Sequence, residues 1–189
     1  MSATQIVDGV ELPVAGTWSV DPGHTEVGFV GRHLGLTKTR GRFTGVDGTV
    51  HIAADPTAST IDVTIDMASV ESGSANRDNS LRSANFFDVD NHPTARFRST
   101  AITMDGTGGT VTGDLTVKGV TRPVVLDVEY LGYVRDPWGN DRAAFSATAA
   151  INREDWGLTY NMALDSGRLL VSKRIQLEIE LELVRLDHA

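Results

Sequence analysis

Few residues in this chain combine the types and spacing that a metal site needs. Asp88, Asp90 and His92 share one phase of an extended segment and offer carboxylate and imidazole groups to a cation. Because the segment runs directly into Pro93, a solvated loop is the stronger interpretation. The five histidines include no pair at the i,i+2 or i,i+4 spacing of common metal motifs. We therefore expect no metal site.

Two sets of carboxylates resemble catalytic pairs, but each alternates with apolar residues along one strand. They are Asp62 with Asp66, and the three glutamates between positions 178 and 182. Alternation places each set opposite the apolar face, in water. The sequence has no G-x-S-x-G turn and no G-x-x-x-x-G-K-[ST] loop, and its glycines at 106–109 lie between two strands. We therefore predict a protein that is not an enzyme.

Several polar residues near strand or helix ends have two interpretations each. Arg32 and His33 close an otherwise apolar strand, where a lone histidine is more often structural than a ligand contact. Arg82 follows Asp78 by four positions, and Asp155 follows Arg153 by two, and an arginine beside an acidic residue usually forms an ion pair. The sequence leaves open whether these cations are structural or contact a ligand.

The composition favours β-structure and excludes several classes of protein. Val, Ile and Thr supply 48 of the 189 residues, and β-branched side chains favour strands. The absence of cysteine excludes disulfides, thiol nucleophiles and zinc fingers, and a net charge of −8 disfavours nucleic-acid binding. Apolar runs of at most three residues form neither a membrane span nor a signal-peptide core. We expect a soluble, cytoplasmic protein without a transmembrane segment.

The pattern along the chain predicts eight or nine long strands and one short helix. Alternation is clearest from Thr60 to Met67 and from Ile175 to Leu183, and the period changes to a helical one between Ser74 and Phe87. Residues 1–15 are predicted to be a lead-in or covering segment. Hairpin-like connections exclude a parallel sheet. An antiparallel barrel and a sandwich both fit, and periodicity does not separate them.

Small residues interrupt the apolar faces of the predicted strands. Ala147 and Ala149 occupy the centre of one such face, and Gly113 interrupts another. An eight-stranded barrel is just wide enough for side chains or for one small ligand, so small inward residues predict an apolar void. The alternative is that large neighbours such as Trp18 and Trp156 fill the space.

Four ordered blocks of the sequence resemble the YceI-like family of polyisoprenoid-binding proteins. The opening and central blocks are WSVDPGHTEVGFVGRHLGLTKTRGRF from Trp18 and LRSANFFDVDNHPTARFRST from Leu81. The later blocks are GDLTVKGVTRPVVLDVEY from Gly113 and FSATAAINREDWGL from Phe145. With the closing strand, the resemblance spans about residues 16 to 186, nearly the whole chain.

The resemblance implies an all-β, lipocalin-like antiparallel barrel of about eight strands with one short helix, formed by residues 16–189. It implies binding of a long-chain isoprenoid, a polyprenyl phosphate or an isoprenoid quinone, for carriage, storage or sensing. No cofactor is expected beyond this ligand. A homodimer and transient contact with a membrane are expected. The alternatives are an enzyme acting on an apolar substrate in the same barrel and a stress-related scavenger of apolar molecules.

The predicted binding residues form two sets, one for the polar head at the mouth and one for the apolar tail. The candidates for the head are Arg32, His33, Arg82 and Arg153. The candidates for the lining are Phe29, Phe43, Phe86, Phe97, Leu115, Val117, Leu126, Val128, Phe145, Ala147, Ala149 and Trp156. An apolar lining suffices for the tail because burial contributes about 0.8 kcal/mol per methylene.

Overall fold

The computed structural model describes residues 4–167 and 169–186, which form thirteen strands and one α-helix. The strands are β1 (Thr4–Val7), β2 (Val10–Pro13), β3 (Gly16–Val20), β4 (Glu26–His33), β5 (Thr37–Phe43), β6 (Val46–Ile52), β7 (Thr60–Asp66), β8 (Val70–Glu71), β9 (Thr94–Asp105), β10 (Gly108–Val117), β11 (Val120–Arg135), β12 (Asp141–Asn152) and β13 (Arg174–Arg185). The helix is α1 (Ala75–Arg82), and single 3₁₀ turns span Pro56–Ala58, Met67–Ser69 and Arg153–Trp156.

Eight of these strands close into an antiparallel barrel. Their order is β13-β12-β11-β10-β9-β7-β6-β3, and β3 pairs again with β13. One edge of β13 is shared, because Leu183–Arg185 pair with β3 while Gln176–Glu180 pair with β4. From β4 the sheet continues through β5 to β8, which extends the wall beyond the closed ring. The prediction of an antiparallel barrel of about eight strands is confirmed.

Alternation along the strands decides which side chains face the interior. In β13, Ile175, Leu177, Ile179, Leu181 and Leu183 all point into the barrel. The glutamates between them lie on the outer face, where Glu178 pairs with Arg40 and Glu182 pairs with Arg142. The side-chain period of a strand is two, so one register places the apolar set inside and the charged set in water.

Asp62 on β7 also lies on the outer face of the barrel and pairs with arginines of a neighbouring strand. Asp62 receives two hydrogen bonds from Arg96, at 2.8 and 2.6 Å, and a third from Arg98 at 3.2 Å. These arginines lower the pKa of Asp62 to about 2. A carboxylate held ionised by outward-facing arginines stabilises the sheet surface and is not a general acid.

Helix α1 is short because its sequence has no apolar stripe, and it is fixed by its ends. The Ser74 hydroxyl accepts a hydrogen bond from the Arg77 amide at 3.4 Å, which caps the N-terminus. At the other end, Arg82 donates to the carbonyls of Ala68 at 2.9 Å and Val70 at 2.7 Å. Arg82 therefore ties the helix to the segment around β8. The predicted ion pair with Asp78 is wrong, since Asp78 accepts instead from Ser72.

The barrel has two dissimilar ends, here called the mouth and the base. The mouth is the end where β12 finishes and β13 begins, next to α1 and the β4–β5 turn. The base is covered by the β1–β2 hairpin, whose Leu12 is buried against Trp18 and Leu183. The Gln5 side-chain amide also donates to the Ala53 carbonyl at 3.3 Å. The segment predicted as a lead-in thus packs on the barrel as a cover.

Candidate ligand cavity

The barrel encloses a cavity of about 820 Å³ that extends from the mouth to the base. Arg32 and Tyr160 line it at the mouth, and Leu12 and Pro13 line it at the base. Between these ends the wall is built from the inward-facing apolar side chains of the barrel strands. A volume of this size lies near the upper end of the range for small-molecule pockets. Side chains therefore leave the interior of the barrel partly vacant.

The chemistry of the wall is almost entirely apolar. Among residues 4–167 and 169–186, no Asp or Glu lines the cavity. Its ionisable lining residues are Arg32, His33, Arg40, Arg77, Arg153 and Tyr160. Because all of these except Arg40 lie at the mouth, the remaining length of the cavity offers a ligand dispersion and burial with little hydrogen bonding.

Most of the residues predicted to bind a ligand lie on this cavity. They are Phe29, Arg32, His33, Phe43, Phe86, Phe97, Leu115, Val117, Leu126, Val128, Phe145, Ala147, Arg153 and Trp156. Position on the wall is a geometric finding, and contact with a ligand stays a prediction for each of them.

Ala149 and Arg82 lie elsewhere. Ala149 is on the inward face of β12, but it packs in a buried cluster with Val124, Trp156 and Leu158, which cover it. Arg82 turns away from the cavity to donate to the two carbonyls beside β8. The alternation along β12 correctly predicted that Ala149 faces inward. Trp156 and Leu158, which follow β12, separate it from the cavity.

The small residues contribute less empty space than the sequence predicts, because aromatic rings lie over two of them. A Cβ atom built on Gly41 would lie 2.3 Å from the ring of Phe29. A Cβ atom on Gly113 would lie equally close to the ring of Phe97, at 2.3 Å. Glycine is required at both positions for this close approach. The rings narrow the cavity locally without filling it.

The large aromatic residues that could have filled the barrel occupy its ends instead. Trp18 is fully buried near the base, and Tyr130 packs there against Phe145 with ring centroids 5.2 Å apart. Trp156 lies toward the mouth, where its indole N–H donates to the Leu115 carbonyl at 2.9 Å. Neither tryptophan therefore fills the cavity between the two ends.

Several wall residues were not predicted as ligand contacts. The inward faces of β7 and β13, including Ile61, Val63 and Leu177, carry the clearest alternation in the sequence and line the cavity. That alternation could have been used to predict that these residues line the cavity. Tyr160 and Leu170 also line the cavity, but they lie in an irregular segment whose sequence has no period to read.

The segment between β12 and β13, residues 157–167 and 169–173, is called the mouth loop below. Arg153, which is only 5% exposed, holds both of its ends. The guanidinium donates to the Leu158 carbonyl at one end and to the Ser172 carbonyl, at 3.0 Å, at the other. Burial lowers the pKa of Arg153. The expected ion pair with Asp155 is wrong, because backbone carbonyls of the mouth loop take its place.

The mouth loop is joined to the end of β4. The Leu34 amide donates to the Leu170 carbonyl at 3.0 Å, and the Ser172 amide donates to the Arg32 carbonyl at 3.0 Å. His33 forms an isolated antiparallel bridge with Val171. These bonds place Arg32 and His33 at the rim of the cavity.

The side chains that could hold a cation are committed to other partners. Asp88 accepts two hydrogen bonds from Asn91, at 3.0 and 3.1 Å. Within the part of the chain that the structure describes, Asp21, His24 and Glu182 form the one cluster with metal-ligand geometry. Arg142 already lies in that cluster, at 2.5 Å from Asp21 and 2.6 Å from Glu182. We interpret it as an ion-pair network of the barrel.

Arg142→Met is expected to destabilise the fold in a pH-dependent way. Hydrogen bonds from Arg142 lower the pKa of Asp21. Burial raises the pKa of Asp136, but hydrogen bonds from Arg142, Asn140 and the Trp138 amide together lower it further. Acids with a lowered folded pKa add stability above their unfolded pKa of about 3.9 and lose it as the pH falls. The variant should lose roughly 3 kcal/mol near neutral pH. Denaturant unfolding across pH measures this loss.

The matched control is Arg135→Met, which removes an exposed arginine from the preceding strand. It should change the free energy of unfolding by no more than about 0.5 kcal/mol. The gap between the two variants should narrow as the pH falls below about 4, because the carboxylates of the unfolded chain then take up protons while those held by Arg142 in the wild-type fold stay ionised to lower pH. A constant gap from neutral to acidic pH would contradict the role assigned to the network.

A closed antiparallel barrel around one large apolar cavity places this chain among the β-barrels that enclose a ligand site. Residues 18–183 match the YceI-like domain. A UPF0312 protein of Photorhabdus laumondii subsp. laumondii, plu2095, is 38% identical over 188 residues, covering 98% of this chain and 95% of that protein. The chain therefore belongs to the YceI-like family.

Two solved structures share the fold. Burkholderia cenocepacia BcnA superposes with a TM-score of 0.75 at 24% identity, covering 86% of this chain and 98% of that one. A polyisoprenoid-binding domain from Saccharophagus degradans superposes with a TM-score of 0.63 at 17% identity, covering 89% and 98%. The described residues also contain no helix long and apolar enough to cross a bilayer.

Proposed function

We propose that this protein binds one long-chain isoprenoid lipid, a polyprenyl phosphate or an isoprenoid quinone, with its tail inside the barrel. The observation that carries the proposal is the cavity of about 820 Å³ with an apolar wall. Family membership supports it, as does the fold shared with a polyisoprenoid-binding domain. Carriage, storage and sensing of the lipid all begin with its binding in this cavity.

The wall suits a branched hydrocarbon tail. Burying one five-carbon prenyl unit contributes roughly 4 kcal/mol, at about 0.8 kcal/mol per methylene-sized group. Several units therefore supply ample affinity without any hydrogen bond along the tail. Closely packed aromatic rings, such as Phe29 and Phe43 at 5.5 Å, give the wall rigid apolar surfaces.

The head group would lie at the mouth, beside Arg32 and His33. Both side chains are exposed and line the cavity where β4 ends. Arg153 is nearby, but its guanidinium already donates to the mouth loop, so its role is to hold that loop in place. A phosphate would gain charge-assisted hydrogen bonds from Arg32, while a quinone carbonyl would accept a neutral one.

An enzyme acting on an apolar substrate is the second candidate, and the wall gives it little support. General acid–base catalysis needs a positioned proton donor or acceptor beside the reacting bond. Among the described lining residues there is one histidine, His33, and no Asp or Glu. It is at the rim rather than deep in the cavity. The lining therefore favours binding over catalysis.

The test begins with the purified protein. A denaturing organic extract analysed by mass spectrometry should contain an isoprenoid lipid, and native mass spectrometry should show one lipid per chain. The stripped protein should then bind solanesol, solanesyl phosphate and a solanesyl quinone, each measured by quenching of tryptophan fluorescence. A straight-chain alcohol of similar length controls for the branched tail.

The results separate tail recognition from head recognition. Equal binding of the three solanesyl compounds would assign the affinity to the tail, and a preference for the phosphate would assign part of it to Arg32. The proposal fails if repeated extracts contain no isoprenoid and the stripped protein binds none of the three compounds. Cytoplasmic location and homodimer formation stay predictions.

A further inference from the structure

The mouth of the barrel exposes apolar side chains that the fold does not use. Leu36 in the β4–β5 turn is 57% exposed, and Met162 in the mouth loop is 53% exposed. Tyr160, also in the mouth loop, is 38% exposed while it lines the cavity. These three residues, together with the cations Arg32, Lys38 and Arg77, are called the mouth rim.

The segments that carry the rim are in direct contact with one another. The Leu34 amide donates to the Leu170 carbonyl at 3.0 Å, and the Leu170 amide donates to the Met162 carbonyl at 2.9 Å. The Tyr160 ring packs edge-on against Phe86 with centroids 5.2 Å apart. The β4–β5 turn, the mouth loop and the segment after α1 therefore surround one opening.

The charges on the outer face of β4 and β5 change as the strands approach the mouth. Farther from the mouth, each arginine of β5 is matched by glutamates, Arg42 by Glu26 and Glu71, and Arg40 by Glu178. At the mouth, Arg32 and Lys38 lie directly opposite each other in the β4–β5 register. Like charges at opposed positions destabilise a sheet.

The rim cations have no carboxylate partner within ion-pair distance in residues 4–167 and 169–186. The guanidinium groups of Arg32 and Arg77 donate to backbone carbonyls, those of Leu36 and Ser72. These cations lack carboxylate partners among the described residues although the chain has a net charge of −8 and many acidic residues. Three cations without a carboxylate partner in the described part of the chain therefore lie where the cavity opens.

We infer that the mouth rim docks on the surface of an anionic phospholipid bilayer. The inference rests on the proposed function, because a lipid moving between a bilayer and the cavity would otherwise cross water. Apolar side chains interspersed with cations are the composition that binds an anionic membrane surface. Leu36, Tyr160 and Met162 enter the headgroup region, and Lys38 and the rim arginines lie beside lipid phosphates. The opening of the cavity then faces the acyl chains.

The first experiment measures co-sedimentation of the full chain with vesicles. Vesicles that mix phosphatidylglycerol with phosphatidylcholine should bind the protein, and vesicles of phosphatidylcholine alone should bind it weakly. Lys38→Gln should weaken binding to anionic vesicles about 5-fold, the effect typical of one cation near such a surface. Leu36→Ser combined with Met162→Ser should weaken it about 10-fold or more, because less apolar surface is buried.

The matched controls lie at the base. Trp138→Ser removes a side chain that is 81% exposed, and Arg135→Gln removes an exposed cation from the strand before it. Neither should change vesicle binding by more than about 2-fold, and higher ionic strength should weaken the binding of the wild type. Base variants that weaken binding as much as rim variants would overturn the inference.

The second experiment tests orientation, using the absence of cysteine from the sequence. Met162→Cys and Trp138→Cys each give one attachment point for an environment-sensitive fluorophore. On anionic vesicles, the emission from position 162 should shift to the blue and that from position 138 should not. Equal shifts, or no shift at position 162, would overturn the inference.

Failure of the docking inference can be distinguished from failure of the proposed function. Leu36, Lys38 and Met162 are not part of the cavity wall, so variants at these positions should still bind solanesyl phosphate added from solvent. A protein that binds solanesyl phosphate but no anionic vesicle overturns the docking inference alone. A protein that binds anionic vesicles through the rim but takes up no solanesyl compound overturns the proposed function alone.

Discussion

Ala147→Phe is expected to abolish isoprenoid binding while leaving the barrel folded. Ala147 lies on β12 with its side chain on the cavity wall, opposite Ile179 of β13. A phenyl ring there occupies space that a prenyl unit would use. Excluding one unit forfeits roughly 4 kcal/mol of burial, a loss of about three orders of magnitude in affinity. Titration with solanesyl phosphate measures the loss.

Ala150→Phe is the matched control because it places the same ring on the exposed outer face of the same strand. It should leave solanesyl phosphate binding unchanged within about 2-fold, as surface substitutions usually do. The unfolding temperature of Ala147→Phe should equal or exceed that of the wild type, because the ring fills empty volume. Full binding by the folded Ala147→Phe protein would show that ligands do not enter this cavity.

Ile179→Asp is expected to have the largest effect on stability. Ile179 faces the cavity between Val27 and Ala147, its cross-strand neighbours. A carboxylate in this apolar wall should destabilise the fold by roughly 3–4 kcal/mol near neutral pH. Desolvation raises the pKa of such a group, so the destabilisation should shrink as the pH falls and the aspartate becomes neutral. Denaturant unfolding near neutral pH and at a lower pH measures the destabilisation and its decrease.

Glu180→Asp serves as the reference for this substitution. It places an aspartate at the next position of β13, on the exposed face. Its expected effect is within about 0.5 kcal/mol at any pH in the same range. Similar stabilities for the two variants would mean that the inward phase of β13 has been misassigned.

Strand phase could be predicted from the sequence because it depends on local alternation. The run from Ile175 to Leu183 has one apolar and one acidic face, and only one of these can face an apolar interior. Strand β4 ends at His33, as the sequence predicts. Of the small residues that predicted a void, Ala147 faces the cavity.

Features that depend on tertiary contacts could not be predicted in this way. Ala149 shares the phase of Ala147, but Trp156 and Leu158 fold back over it from beyond the end of β12. Arg153 binds backbone carbonyls of the mouth loop, and a carbonyl is present at every position, so its sequence neighbours do not reveal the partner. The base cover formed by β1 and β2 depends on Leu12 reaching Trp18, a contact that no period in residues 1–15 indicates.

The hairpin at the base has a consequence for the size of the guest under the proposed function. Since β1 and β2 cover one end of the barrel and Leu12 and Pro13 line the cavity there, a tail that entered from the mouth would stop against these two residues. The length of the cavity would then set how many isoprene repeats are buried. Longer tails would keep their last repeats outside, and a smaller side chain in place of Leu12 would make room for more.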